Sequence, residues 1–178
     1  MALFNSKGLR QKGMTLIEVL VTLLVLAFGL IGLAGMLMLS NKANNSSYVK
    51  QQAVECVYGM FDQIRANYQS AIKGNYDVSN IGTNRMPTAP SPSCDTAVCT
   101  PAQLAAYDTW YWLTYNVAQL PNGTGSITSA PSTNGAGNTI ITITVQWDDS
   151  AAQATLGNSS AVSTNNANWV QLSIQSQL

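Results

Sequence analysis

The chain has 178 residues, which is enough for one compact domain in addition to a long helix. Its eight basic and eight acidic side chains are unevenly placed, because three of the basic ones precede residue 13 and leave five against eight in the rest. That remainder has a net charge of −3, whereas nucleic-acid binding needs clustered basic residues. Histidine is absent, which removes the Ser-His-Asp and Cys-His catalytic schemes and the commonest metal ligand. We therefore expect no direct nucleic-acid binding. The missing histidine does not by itself exclude an enzyme, but nothing in the sequence resembles a catalytic constellation, so we also expect no enzymatic activity, no metal and no cofactor.

A long apolar run dominates the N-terminal part of the chain. No charged residue occurs from Val19 to Leu39, and about twenty such residues in a helix span the roughly 30 Å hydrocarbon core of a bilayer. Glu18 lies at the start of this run. An unpaired acid at membrane depth costs about 2.5–3.5 kcal/mol. An ordinary single-pass anchor gains nothing from such a carboxylate, so we expect a partner group to compensate Glu18.

The segment before the apolar run is short and basic, with Lys7, Arg10 and Lys12. Such a leader stays on the cytoplasmic side of the membrane. A secretory signal has its small-residue cleavage site after the apolar region, but here the small residue, Gly13, comes before it. Cleavage between Gly13 and Met14 would remove the leader and leave the apolar helix at the new N-terminus. The new α-amine would then lie four residues from Glu18.

The sequence GMTLIEVL, at positions 13–20, resembles the class III signal of type IV pilins and type II secretion pseudopilins. The resemblance implies cleavage after Gly13 by a prepilin peptidase and N-methylation of Met14. It also implies that Glu18 pairs with the N-terminal amine of a neighbouring subunit in a filament. Major pilins usually start with Phe where this chain has Met14, a departure found among minor pilins.

Three glycines recur every three residues within the apolar run, at Gly29, Gly32 and Gly35. One interpretation is close packing of helices, because small residues let backbones approach in membranes. The other is a weak helix that partly melts when filament packing demands it, because glycine destabilises a helix interior. Both interpretations suit a filament core.

After Ser40 the apolar residues follow the i, i+3/i+4, i+7 spacing of a single helical face. The members of this face are Val49, Ala53, Cys56, Val57, Met60, Ile64 and Tyr68. Gly74 and Asn75 form a stop signal, with Lys73 in the last turn. The sequence thus predicts one helix from about Met14 to Lys73, with a transmembrane or filament-core half (14–39) and an amphipathic half (40–73).

A turn-rich stretch from Asn75 to Pro92 predicts a loop. Cys94 and Cys99 follow with four residues between them, and in an exported chain they predict a local disulfide. Cys56 is then a free thiol on the buried helix face. An intermolecular bond through Cys56 is the alternative.

The sequence TPAQ predicts the start of a second helix, with Thr100 as N-cap, Pro101 at the first position and Gln103 as the capping-box partner. The helix is expected to end near Leu120, before Pro-Asn-Gly, although its second half also has strand propensity. It is rich in aromatic residues: Tyr107, Trp110, Tyr111, Trp112 and Tyr115. We interpret these as packing into a globular head, with a carbohydrate platform as the alternative.

Two segments alternate apolar and polar residues with the period of a strand, Thr139–Asp148 and the segment around Val170–Gln175. A shorter strand is expected near Ser126–Ser129. The polar connection Asp149–Asn168 is expected to be exposed and to carry contacts. Asp148 and Asp149 together are weak evidence for a calcium site.

The second half of the chain sharpens the resemblance. The order CDTAVCTPAQLAAYDTWYW, LPNG and ITITVQWDD behind the GMTLIEVLV start is similar to the PilV class of type IV minor pilins. This implies an α+β pilin fold, in which a long N-terminal helix packs on an antiparallel β-sheet head with an extra short helix. The expected domains are a leader (1–13), the two helix halves (14–39 and 40–73) and the head (74–178).

The same resemblance implies a minor pilin that helps to prime type IV pilus assembly and joins a tip-associated complex supporting adhesion and twitching motility. The implied partners are prepilin peptidase, other minor pilins, the major pilin and a large tip adhesin. The chain would sit in the inner membrane with its head in the periplasm, and then near the tip of an extracellular pilus. The alternatives are a minor pseudopilin of a type II secretion system and a tethered domain that never polymerises.

Overall fold

The computed structural model describes residues 13–82, 86–132, 138–150 and 168–178. The chain divides into two compact units, one ending at Ser40 and the other running from Asn41 to Leu178. We call the second unit the head. The basic leader before Gly13 and most of the connection expected to be exposed, residues 151–167, lie outside the described residues.

The first helix, α1, runs from Leu16 to Ala66. In the head it buries one face, made of Val49, Ala53, Cys56, Val57, Met60, Phe61 and Ile64. Six of the seven positions predicted for this face are therefore confirmed. Tyr68 was wrongly included, because it lies beyond the end of α1 and is 43% exposed. Phe61 belongs to the face although the spacing did not single it out.

The helix predicted to continue to Lys73 ends at Ala66 because the backbone turns at Asn67, which has φ −113° and ψ 45°. A short helix, α2, follows at Tyr68–Ala71, and Gly74 then adopts a φ of +74°. Only glycine adopts such an angle without steric cost. The buried Asn67 amide holds the turn by donating to the Pro101 carbonyl oxygen at 2.7 Å and to the Tyr76 hydroxyl at 3.1 Å.

The helix α3 spans Pro101–Tyr111 and begins with the predicted capping box. Gln103 N donates to the Thr100 hydroxyl at 3.3 Å, and Thr100 N donates to the Gln103 side chain at 2.9 Å. The chain remains helical through a π-helical turn at Trp112–Asn116 and a 3₁₀ turn at Val117–Gln119. The strand propensity of the aromatic segment is thus overridden by its tertiary packing.

Four antiparallel strands form one sheet in the order β1-β2-β3-β4. They are β1 (Val78–Gly82), β2 (Thr124–Pro131), β3 (Thr139–Asp148) and β4 (Trp169–Gln177). The prediction of an uninterrupted loop from Asn75 to Pro92 was wrong, because β1 lies within it. β1 is short and polar and carries a register shift between Val78 and Ile81, so it lacks a regular two-residue apolar pattern. The register is set in the sheet centre, where Ile143 lies opposite both Ile127 and Ile174.

The core of the head lies between the buried face of α1, the helical segment after Thr100 and one face of the sheet. Trp112 is one of two Trp side chains in this core, and its indole donates to the Cys56 carbonyl oxygen at 3.0 Å. Gly125 on β2 makes room for this indole, since a Cβ there would lie 2.7 Å from the Trp112 ring. The structure confirms the expected α+β pilin-like fold, with a long N-terminal helix, a second short helix and an antiparallel sheet.

Candidate assembly site

The residues around the predicted cleavage point precede the helix. Gly13, Met14 and Thr15 are not helical and are exposed. The Thr15 carbonyl oxygen accepts hydrogen bonds from Glu18 N at 3.0 Å and from Val19 N at 3.3 Å, which starts the helical ladder. The bond between Gly13 and Met14 therefore lies in exposed backbone that precedes α1.

Glu18 lies in the first turn of α1. A carboxylate is stabilised there by the positive end of the helix dipole. Within the part of the chain that the structure describes, no cation forms an ion pair with Glu18. The dipole contributes about 0.3–1 kcal/mol, less than the about 2.5–3.5 kcal/mol that a buried acid costs in a bilayer. The helix alone therefore does not compensate this carboxylate at membrane depth.

Among the described residues of the first unit, no side chain covers the apolar residues that follow Glu18. An 18-residue window of α1 has a mean hydropathy of 2.7, and none of it is buried. Leu16 is 86% exposed, and Phe28 is 69% exposed. By length and composition this segment can cross a membrane. It presents apolar surface on all sides, so lipid or neighbouring helices must cover it.

Among the described residues, the three glycines of the apolar segment do not make room for any other part of the chain. A Cβ built on Gly29, Gly32 or Gly35 meets no described atom within 4 Å, apart from the neighbouring turns of the helix itself. Contacts among the described residues therefore do not account for these glycines. Both interpretations of the glycine repeat stay open.

The cysteines lie in the head, away from the motif residues in the sequence. Cys94 and Cys99 form a disulfide just before α3. Cys56 is a buried free cysteine, and burial raises the pKa of its thiol to about 12. A buried thiol that stays protonated is a poor nucleophile, which argues against the intermolecular disulfide.

The predicted acidic pair Asp148–Asp149 serves structural contacts. Asp149 is buried rather than exposed, and it accepts a hydrogen bond from Ser46 at 2.9 Å. Asp148 accepts from Ser150, and these hydrogen bonds lower the pKa of Asp148. Among the described residues, no group of three or more acidic, cysteine or histidine side chains could hold a metal ion.

One network of polar side chains was not predicted from the sequence. Asn67 donates to the Tyr76 hydroxyl, which donates to the Asp108 carboxylate at 2.8 Å. Successive members of the network are 9 and 32 residues apart in the sequence and share no motif, so no local pattern predicts their contact. The network ties the end of α1 to α3.

Residues 8–34 match the family model of the prokaryotic N-terminal methylation motif. The matched segment contains Gly13, Met14 and Glu18 together with much of the apolar run. Comparisons with curated proteins and with solved structures gave no match.

The chain thus combines the N-terminal methylation motif found in type IV pilins and pseudopilins with a pilin-like α+β fold. The motif is the class III signal of these proteins, and it implies processing by prepilin peptidase. Pilin-like proteins are structural and generally not enzymes. The signal and the apolar helix indicate an inner-membrane protein that passes into a pilus or pseudopilus.

Proposed function

We propose that this chain is a minor pilin of the type IV pilus, similar to the PilV class, and that it helps to prime pilus assembly. Cleavage after Gly13 leaves Met14 as the first residue, and its amine is methylated. The subunit then joins a tip-associated complex of minor pilins that supports adhesion and twitching motility. Its partners are the other minor pilins and the major pilin, contacted through α1, and a large adhesin at the tip.

This proposal rests on one observation. The described residues leave the apolar part of α1 exposed, and the Glu18 carboxylate lies in the first turn of that helix. Inside a filament, neighbouring helices cover the apolar surface, and the Met14 amine of one subunit neutralises Glu18 of another. Both charges lose hydration when they are buried, so such a pair selects register and neighbour more than it adds affinity. In the membrane, before assembly, Glu18 lacks that partner. Glu18 is therefore paired only in the filament, and only in the register that brings the Met14 amine of a neighbour to it.

The test compares Glu18→Ala with Glu55→Ala in the producing cell. Glu55 is also an exposed acid of α1, but it lies in the head, where its side chain accepts from Gln51 at 3.2 Å. We expect Glu18→Ala to abolish incorporation into sheared filaments and Glu55→Ala to retain it. Intact mass should show both variants cleaved and beginning at N-methylated Met14. Normal incorporation of Glu18→Ala would overturn the assembly role.

The pilus and the secretion pseudopilus share the motif, so the distinction requires a phenotype. Deletion of the gene should reduce piliation and twitching motility while protein secretion continues. A secretion defect with normal piliation would transfer the chain to the pseudopilin alternative. A chain that stays uncleaved when prepilin peptidase is present would contradict both assignments.

A further inference from the structure

Four aromatic side chains of the head, one of them buried and three partly or fully exposed, form a cluster that the assembly role does not use. Tyr107, Trp110, Tyr111 and Tyr115 follow one helical face, and we call them the aromatic corner. None of them belongs to the main core around Trp112. Tyr111 is 42% exposed and Tyr115 50% exposed, although rings of this size gain stability when buried.

The ring planes of the aromatic corner meet at angles from 28° to 88° and so do not form one flat face. Trp110 and Tyr115 are nearly perpendicular, at 88° with centroids 5.7 Å apart, while Tyr111 and Tyr115 lie at 37° with centroids 4.8 Å apart. They line a depression of about 190 Å³ together with Ala89, Pro90, Ser93 and Asp95. A sugar ring stacks on a flat, open aromatic face, whereas this arrangement is a corner. The geometry thus favours a compact, rounded group over an extended sugar chain.

The residues that line the depression favour a positively charged ligand. Among its described lining residues, Asp95 is the only charged one. The faces of Trp and Tyr rings are themselves negative and attract cations within about 6 Å of the ring centroid. Aromatic rings and a carboxylate together recognise quaternary ammonium groups.

The carboxylate is held in place before any ligand arrives. Asp95 directly follows Cys94, whose disulfide to Cys99 closes a short loop in front of α3. The Tyr107 hydroxyl, on α3, donates to Asp95. These two constraints fix the acid at the edge of the aromatic corner, so binding does not have to order it.

From this geometry we propose that the aromatic corner and Asp95 bind a choline-type quaternary ammonium group. The group sits against the Trp110, Tyr111 and Tyr115 rings with its positive charge toward Asp95. The site is independent of the assembly role, since it uses no residue of the methylation motif.

The test uses the processed full-length chain, labelled with ¹⁵N, in a maltoside detergent at constant ionic strength. The chain has four Trp residues, and the Trp110→Phe variant assigns the Trp110 indole signal. Choline is added to about 50 mM, a range that detects millimolar affinity. Its uncharged isostere 3,3-dimethylbutan-1-ol has the same shape, and methyl glucoside represents a sugar.

We expect choline to shift the Trp110 signal saturably and the two neutral compounds to leave it unchanged. Asp95→Asn and Tyr111→Leu should each weaken choline binding about fivefold. The matched controls Asp62→Asn and Tyr58→Leu, at exposed positions of α1, should bind like the parent chain. Unchanged thermal unfolding of each variant shows that the head is still folded.

Choline-type quaternary ammonium groups occur in free choline and in lipid headgroups. A second experiment, in lipid nanodiscs, distinguishes these two sources. In phosphatidylcholine nanodiscs, a shifted Trp110 signal without added choline identifies the headgroup as ligand. A shift that appears only on adding choline identifies the free compound, and phosphatidylglycerol nanodiscs supply the baseline. Equal shifts with the isostere, shifts with the glucoside alone, or no shift with choline would each overturn the proposal.

Discussion

The two parts of α1 are one helix in two different environments. From Leu16 to Ser40 its apolar residues are exposed, whereas seven side chains between Val49 and Ile64 are buried on one face. The second part is fixed by its own fold, because the sheet and α3 supply the surface that it needs. The first part has to be completed by lipid or by other subunits. The apolar residues alone therefore do not distinguish a helix segment that is buried in the fold from one that is left exposed. The position of the polar residues does distinguish them, because polar residues cover the outer face of the second part and are almost absent from the first.

The largest effect on the stability of the head is expected from Met60 in the second part of α1, with Met36 in the first part as its control. Met60 is fully buried and Met36 is 73% exposed. Met60→Ala should lower the free energy of unfolding of the head by about 2–5 kcal/mol, because it removes buried side-chain volume. Met36→Ala should change it by less than about 0.5 kcal/mol. Denaturant titration followed by Trp fluorescence measures both, and equal effects would abolish the distinction between the two parts.

Two glycines allow a second comparison, between a position in the core of the head and a position on the exposed side of α1. A Cβ at Gly125 lies 2.7 Å from the Trp112 ring, while a Cβ at Gly59, on the exposed side of α1, meets no atom within 4 Å. We expect Gly125→Ala to destabilise the head by about 1–3 kcal/mol through overpacking. Gly59→Ala should stabilise it by about 0.5–1 kcal/mol through helix propensity. In the same denaturant titration, the two variants should change the free energy of unfolding in opposite directions. Changes in the same direction would contradict the close contact between Gly125 and the Trp112 ring.

A smaller effect is expected at the start of α3. Thr100→Ala removes the hydroxyl that caps Gln103 N, and loss of such a cap costs about 1 kcal/mol. Thr100→Ser keeps a hydroxyl at the same place and should retain most of the stability. A Thr100→Ser variant as unstable as Thr100→Ala would show that the methyl group matters rather than the cap.

The smallest effect is a dependence on pH. Burial raises the pKa of Asp108 above its ordinary value of 3.8, and the Tyr76 hydrogen bond opposes this shift only in part. Because the folded chain holds this proton more tightly, its contribution to stability is complete below pH 3.8 and is lost as the pH rises through the folded pKa. Asp148 acts in the opposite direction and below pH 3.8, because its pKa is lowered.

The Asp108→Asn variant isolates this contribution. The amide cannot ionise but can still accept from Tyr76, so the fall in stability just above pH 3.8 should become shallower than in the parent chain. Thermal unfolding in buffers of matched ionic strength measures it. Parallel pH profiles for the two chains would show that Asp108 makes no contribution.

Most of the architecture could be predicted because it depends on local patterns. The charge-free run, the apolar face in the second part of α1, the Thr100 capping box and the alternation in β3 each follow from a period or a spacing. The strand β1 could not be predicted in this way, because its residues are polar and its pairing with β2 is irregular. The end of α1 at Asn67 was also missed, since the bonds that hold the turn come from Pro101 and Tyr76.

The sequence by itself determined the methylation motif and the apolar helix behind it, because both depend only on the order of residues along the chain. Only the tertiary structure decided which aromatic residues are core and which are surface. Trp112 fits against Gly125 and bonds to the Cys56 carbonyl oxygen, so it turns inward. Trp110, two positions earlier, turns to the aromatic corner beside Tyr107 and Tyr115. Neighbouring residues of one helix face different directions, and what they meet there depends on parts of the chain that are distant in sequence.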